Sequence, residues 1–311
     1  MNKKINMNPY KDYLALVNVF ELLEKISKFR NLNFRKMTYQ DISKAILNVL
    51  SIDKNGIKKS CLFKSFGIYN KGTKFFRVRT LSTEDHCIPL KDIKIPKDVW
   101  NPPQSIARLG RLNRENESLL YTSPNNPSIA IEETKIKENT NFVLAVFEAI
   151  DDIRVCNMAT TPTIEELNEE ENLKHKIIND FLVHEFIRDV GTGTEFLYKI
   201  SETIMKDYYD LPHEVQDGWC YPSVAHKDSY NMCFRENKAK EKLKLKGIQI
   251  AVKVNDDKGM KIYPKIIGLS NADNEEFKYF KIGSNEQKKV FPEIINEKLN
   301  LTDKDRLFSE S

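Results

Sequence analysis

A chain of 311 residues with 40% hydrophobic and 30% charged side chains can bury one large core or two modest ones, and does not have the composition of a disordered protein. Its 49 basic and 45 acidic residues leave a formal charge of only +4, too even for the one-sided basic surface that nucleic-acid binding uses, so no nucleic-acid partner is expected. Five cysteines (Cys61, Cys87, Cys156, Cys220 and Cys233) are scattered, odd in number and without a C-x-x-C pair, which argues against a disulfide framework and a zinc cluster and for a reducing compartment. The opening MNKKINMNPYKDY lacks the apolar core of a secretory signal, and no apolar run approaches the ~18 residues that span a bilayer. The expectation is a cytoplasmic protein with no membrane partner.

In chain order, Leu14, Val17, Phe20, Leu23, Ile26 and Phe29 recur three apart and predict one helix over 10–30. Ile42, Ala45, Ile46 and Val49 predict a second over 39–50, and the two define a helical N-terminal extension, residues 1–68. From Lys71 the character changes. The aromatic and β-branched run 74–79 predicts a strand, Pro96, Pro102 and Pro103 a loop around Trp100, and 118–121 a second short strand. Pro124-Asn125-Asn126-Pro127 reads as a turn and Ser128 as the opening of a short helix; the apolar stretch 141–150 fits either helix or buried strand. Thr163-Ile164-Glu165-Glu166 has the pattern of a capping box opening a long amphipathic helix to about Val190, with Gly191-Thr192-Gly193 as its C-cap and a further helix over 195–208. Residues 218–223 and the alternating Ile248, Ile250, Val252 and Val254 predict strands, and the charged remainder, 256–311, a peripheral C-terminal extension.

Several reactive motifs begin and fail. His184-Glu185-Phe186-Ile187-Arg188 starts like H-E-x-x-H but puts arginine where the second zinc ligand belongs, so a solvated helix face is expected and no metal. There is no phosphate-binding G-x-x-x-x-G-K-[ST] and no G-x-S-x-G. What remains is the segment 105–134, which combines R-L-G-R-L-N, an apolar run ending in Tyr121, and the paired Glu132 and Glu133. Cations for an anion, an aromatic face and a semi-buried acid suit a charged, ring-containing metabolite. Glu132 and Glu133 read equally as first-turn helix carboxylates favoured by the dipole.

F-F-R-V-R around Arg77, G-R-L-N (Gly110 to Asn113), L-L-Y-T-S (Leu119 to Ser123), N-P-S-I-A-I-E-E (Asn126 to Glu133) and G-W-C-Y-P-S (Gly218 to Ser223), with Asn231 after it, stand in one order. Over roughly 70–235 this resembles the RES domain family, named for an arginine, a glutamate and a serine. The resemblance implies a compact α+β fold, a mixed sheet with flanking helices similar to the ADP-ribosyltransferase and bacterial toxin fold, in a catalytic domain over 69–255. It implies NAD⁺ as substrate rather than cofactor, cleaved at the nicotinamide–ribose bond by hydrolysis or by phosphorolysis with phosphate as co-substrate. It also implies a toxin or defence role, with a cognate antitoxin as candidate partner. By position Arg77 and Ser223 match the family arginine and serine. P-x-x-A-x-x-E spacing selects Glu133 through Pro127 and Ala130, whereas counting from Tyr121 allows Glu132.

The roles follow from the chemistry. Nicotinamide leaves as a neutral ring and needs no proton, so one carboxylate, Glu133 or Glu132, suffices to face the cationic sugar. Arg77, with Arg111 as second choice, suits the pyrophosphate. Tyr121 would stack on the cationic ring or be a core tyrosine with its hydroxyl tied off, Ser223 would hydrogen-bond ribose or phosphate, Asn113 is a further substrate-binding candidate, and His226 would meet phosphate or be a surface histidine. A serine without a nearby base is a weak nucleophile, so Ser223 is a binding residue. Two alternatives stand beside this: an ADP-ribosyltransferase, which would use the same pocket and differ only in its macromolecular or small-molecule acceptor, and a non-catalytic interaction module in which the helical N-terminus and the charged tail do the binding.

Overall fold

The structure, a computed structural model, describes residues 8–54, 56–82, 87–160, 164–226, 228–257 and 259–294. Helices α1 (Asn8–Leu16), α2 (Val19–Arg30) and α3 (Tyr39–Leu50) precede strands β1 (Ser51–Lys54), β2 (Ile57–Ser60), β3 (Ser65–Tyr69) and β4 (Lys74–Thr80). Next come β5 (Leu119–Pro124), α4 (Pro127–Glu133), β6 (Asn141–Ala149), β7 (Ile153–Asn157), α5 (Glu169–Ile187) and α6 (Tyr198–Ile204). The chain continues through β8 (Gly218–Pro222), β9 (Tyr230–Arg235), α7 (Glu236–Lys242), β10 (Leu243–Asp256), β11 (Gly259–Leu269), β12 (Lys278–Lys281) and α8 (Asn285–Val290). The class is α+β, with a large, mostly antiparallel sheet and several helices. Two compact units divide the chain, one of Met1–Gly67, Ser105–Glu117 and Arg154–Val224, the other of Ile68–Gln104, Ser118–Ile153 and Ala225–Ser311.

The first unit is mainly helical. Its opening is two helices, not the one predicted over 10–30: the Asn18 side chain accepts from Glu21 N, capping α2 and ending the run begun by α1. Phe20 is 85% exposed, so the three-residue stripe is not all core. Helix α3 has the predicted bounds and a Thr38–Asp41 capping box, with Ile42, Ile46 and Val49 inward. The predicted box at Thr163 falls partly outside the described residues; α5 is opened instead by Asn168 and Glu171, whose side chains satisfy each other's backbone N–H. Gly191-Thr192-Gly193 is not its C-cap. The helix ends at Ile187, and the glycines form a separate turn in which Thr194 Oγ1 accepts from Gly191 N at 2.9 Å. Helix α6 runs into a π-helical turn, Met205–Tyr209, whose Tyr209 carbonyl accepts from the Trp219 indole at 3.0 Å. Strands β7 and β8 pair in parallel, Val155 opposite Gly218.

The second unit is built on strands in the order β12-β11-β10-β6-β4-β5-β9, all antiparallel. Strand β6 resolves the ambiguity over 141–150: Phe142 to Phe147 are buried consecutively, which needs cover on both faces and erases the alternation of a half-exposed strand. One face packs Phe76, Val78, Leu144 and Val146 against Ala130 and Ile131 of α4 and against Phe291. On the other, Trp100 meets Phe147 at 4.7 Å and Phe75 meets Phe234 at 5.3 Å. Residues 259–294, within the predicted peripheral extension, are not peripheral. Strand β11 pairs with β10 from Ile248 to Asp256, β12 pairs with β11, and Phe277 and Phe291 are buried; the hydrophobic anchors lie far apart among charges and leave little periodic signal.

The β10–β6 register shifts between Leu245 and Gly247, a β-bulge. Gly247 has φ +153°, and a Cβ there would lie 2.8 Å from the Gly268 carbonyl oxygen, a backbone atom that cannot swing away. Gly247→Ala should therefore destabilise the protein by about 1–3 kcal/mol, read as a lower denaturation midpoint. An unchanged midpoint would mean the bulge relaxes freely.

Candidate active site

In the second unit β4 and β5 pair over only two positions, Phe75 with Pro124 and Phe76 with Ser123. Arg77 is the next residue on β4. Alternation turns it away from the face of Phe76 and Val78, and its Nη1 donates to the Tyr121 carbonyl at 3.2 Å, two residues back along β5. The guanidinium thus sits where the two strands stop pairing. Its Nε is shut off from solvent and has no partner among the described residues. Burial, reinforced by the like charge of Arg79, pulls the Arg77 pKa down to about 10. A cation held this way, with an unused donor, is set up for an anionic ligand.

Glu132 and Glu133 are the last two residues of α4, not first-turn carboxylates. The negative end of a helix dipole disfavours acids, so helix stabilisation does not account for them. Glu133 Oε1 accepts from Asn231 Nδ2 at 2.8 Å and, more weakly, from Ala225 N at 3.4 Å. Asn231 Oδ1 in turn accepts from Ser123 Oγ at 2.7 Å, and Ser123 and Asn231 are both buried. Asn231 therefore has both ends of its amide fixed and holds the carboxylate from β9, while Ser123 anchors it from β5. Glu132 is part-buried. The sequence motifs contain Ser123 and Asn231 without a role for either, because a tether spanning |i−j| = 98 leaves no local pattern.

Tyr121 is half-buried on β5, its carbonyl taking the Arg77 contact two residues before Ser123. His226 is exposed and its Nδ1 is within 2.8 Å of Ser229 Oγ. Arg111, Asn113 and Ser223 belong to the first unit. There Arg111 donates Nη1 to the Phe186 carbonyl and Nη2 to the Arg188 carbonyl at 3.3 Å, and lies over the Tyr198 ring at 5.5 Å. Those bonds cap the end of α5, a structural use of the side chain. Asn113 Nδ2 donates to the carbonyls of Arg108 and Arg114, both at 2.8 Å, and staples its own loop. Ser223 is buried just past the end of β8.

The His184-Glu185 face is not simply solvated. Glu185 is buried and pairs with Arg188 Nε at 2.9 Å, so the arginine that spoils the zinc pattern is the counter-ion of the glutamate. Among the described residues no three His, Cys, Asp or Glu side chains gather where they could hold a metal ion, and no helix is long and apolar enough to cross a membrane. No protein-family model, no curated protein and no solved structure matches the chain.

Proposed function

We propose that this chain binds NAD⁺ and cleaves its nicotinamide–ribose bond, with Glu133 as the catalytic carboxylate and Arg77 as the phosphate-binding cation. The observation that carries the reading is that one strand, β5, ties the two together. Arg77 bonds to Tyr121 O, and Ser123, two residues or roughly 7 Å further on, anchors Asn231 and through it Glu133. A guanidinium with an unused buried donor suits pyrophosphate oxygens, and a carboxylate immobilised by an amide suits a sugar that becomes cationic.

In the reaction the C1–N bond of the nicotinamide riboside breaks and its electron pair stays with the ring nitrogen, so nicotinamide departs neutral and unprotonated. Positive charge develops on the ribose facing Glu133. Water then attacks C1 and loses its proton to Glu133 or to solvent, giving ADP-ribose; phosphate as attacking group gives the 1-phosphate ester instead. A full negative charge about 4 Å from the developing cation contributes ~4 kcal/mol at an effective dielectric near 20, on the order of a thousandfold in rate. The same reading takes the second unit as a member of the RES-like, ADP-ribosyltransferase and toxin type of fold, with a toxin or defence role and a cognate antitoxin as partner.

Asn231 is a positioning residue in this scheme. Asn231→Asp would set a second carboxylate against Glu133, and two like charges in hydrogen-bond range raise the affinity of the pair for a proton. The acidic limb of the pH–rate profile for nicotinamide release should move up by about one unit or more. A profile identical to the parent's would show that Asn231 does not act through Glu133.

A further inference from the structure

The first unit has a separate cavity of about 350 Å³ between the start of α3, Arg114 and the junction of α6 with the π-helical turn. A cavity of this size accommodates a small metabolite. Thr203 lines it and is 2% exposed, yet among the described residues its Oγ1 has no hydrogen-bond partner, neither the usual back-bond to the preceding turn of helix nor any other side chain. A helix that widens into a π turn beside an unsatisfied buried hydroxyl is the kind of irregularity that ligand sites maintain.

The surrounding charges select the ligand. Arg114 stacks on the Tyr39 ring at 4.5 Å and is held through Nε by the fully buried Glu202 at 2.7 Å. That clamp fixes the guanidinium plane, and among the described residues neither terminal nitrogen has a protein partner. Its side chain is 51% exposed, so those donors are reachable. Lys44 lines the same cavity, exposed and without an ion pair among the described residues. Together the two present a fork and a point charge, the pair of donors that phosphate monoesters use. Gln40 and Asp207 complete the wall with groups that bind hydroxyls; Asp207 is itself oriented by Ser43 Oγ at 2.6 Å.

We propose that this cavity binds a small phosphate monoester that carries hydroxyl groups. The phosphate meets Arg114 and Lys44, one hydroxyl engages Thr203 Oγ1, and another donates to Asp207. The site is independent of the NAD⁺ reading, since none of its residues serves that chemistry.

Calorimetric titration of the full chain with ribose 5-phosphate, inorganic phosphate and ribose tests it. Ribose 5-phosphate should bind more tightly than either of the others. Lys44→Ala, at an exposed position, should weaken it about tenfold, and the near-isosteric Thr203→Val about fivefold, with melting temperatures at or above the parent's. Absence of binding by both phosphate compounds, or equal affinity in the parent and both variants, overturns the site. Inorganic phosphate binding as tightly as the ester overturns the role of Thr203 and Asp207.

Discussion

Glu133→Gln is expected to lower nicotinamide release on the order of a thousandfold while leaving the melting temperature within a degree or two of the parent. The variant keeps the shape of the side chain, and its amide oxygen can still accept from Asn231 Nδ2, which contacts Oε1 at 2.8 Å. What it loses is the negative charge, which matters only when the ribose becomes cationic, so the loss should fall on kcat rather than on NAD⁺ affinity. Glu132→Gln is the control. It sits one position earlier on α4, and should retain most of the activity. If the Glu132 variant is dead and the Glu133 variant works at the parental rate, the carboxylate has been assigned to the wrong neighbour.

Arg77→Met should separate stability from function in the opposite sense. Among the described residues the Arg77 guanidinium makes one bond, to Tyr121 O at 3.2 Å, and leaves Nε enclosed without a partner. With its pKa held near 10, below that of a free arginine, the protonated side chain disfavours the fold. That penalty is complete at every pH below the folded value and fades as pH rises from there towards the unfolded value, because only the unfolded chain then keeps the proton. At neutral pH an apolar side chain of similar length should stabilise the protein by about 1–2 kcal/mol, raising the melting temperature by ~2 °C or more. NAD⁺ affinity should fall by tenfold or more as the pyrophosphate loses its charge-assisted bonds. A variant that melts several degrees lower and still turns over NAD⁺ would make Arg77 a structural residue. The strain a ligand site imposes on its fold is the difference between the two outcomes.

Much of this was legible in the sequence where the signal is local. Helix α3 lies where its apolar spacing puts it, and β4, β5 and α4 fall on the segments that punctuation by Gly, Pro and Asn marks out. Features decided by distant partners were not. Asn18 splits the N-terminal helix because its side chain, rather than solvent, takes the Glu21 N–H. Strand β6 hid its class because both faces are covered. The strands after 256 looked like a charged tail because β11 is half-buried over most of its length, lysines included, and only Ile266 to Gly268 are buried, between β10 and β12. The site divides the same way. Arg77 and Glu133 could be nominated from short motifs, but the Ser123–Asn231 relay joining their neighbourhoods exists only once β5 and β9 lie side by side. Glu202 sits four residues before Lys206 and resembles an ordinary surface ion-pair residue; in the structure it is enclosed, burial pushes its carboxyl up, and it serves Arg114.

The most direct measurement is incubation of the purified chain with NAD⁺, with and without phosphate, followed by mass analysis of the products. Free nicotinamide should accumulate together with ADP-ribose, or with its 1-phosphate ester when phosphate is present, and Glu133→Gln should suppress both. Recovery of intact NAD⁺ from the parent protein under both conditions would contradict the assignment of this site to NAD⁺ cleavage.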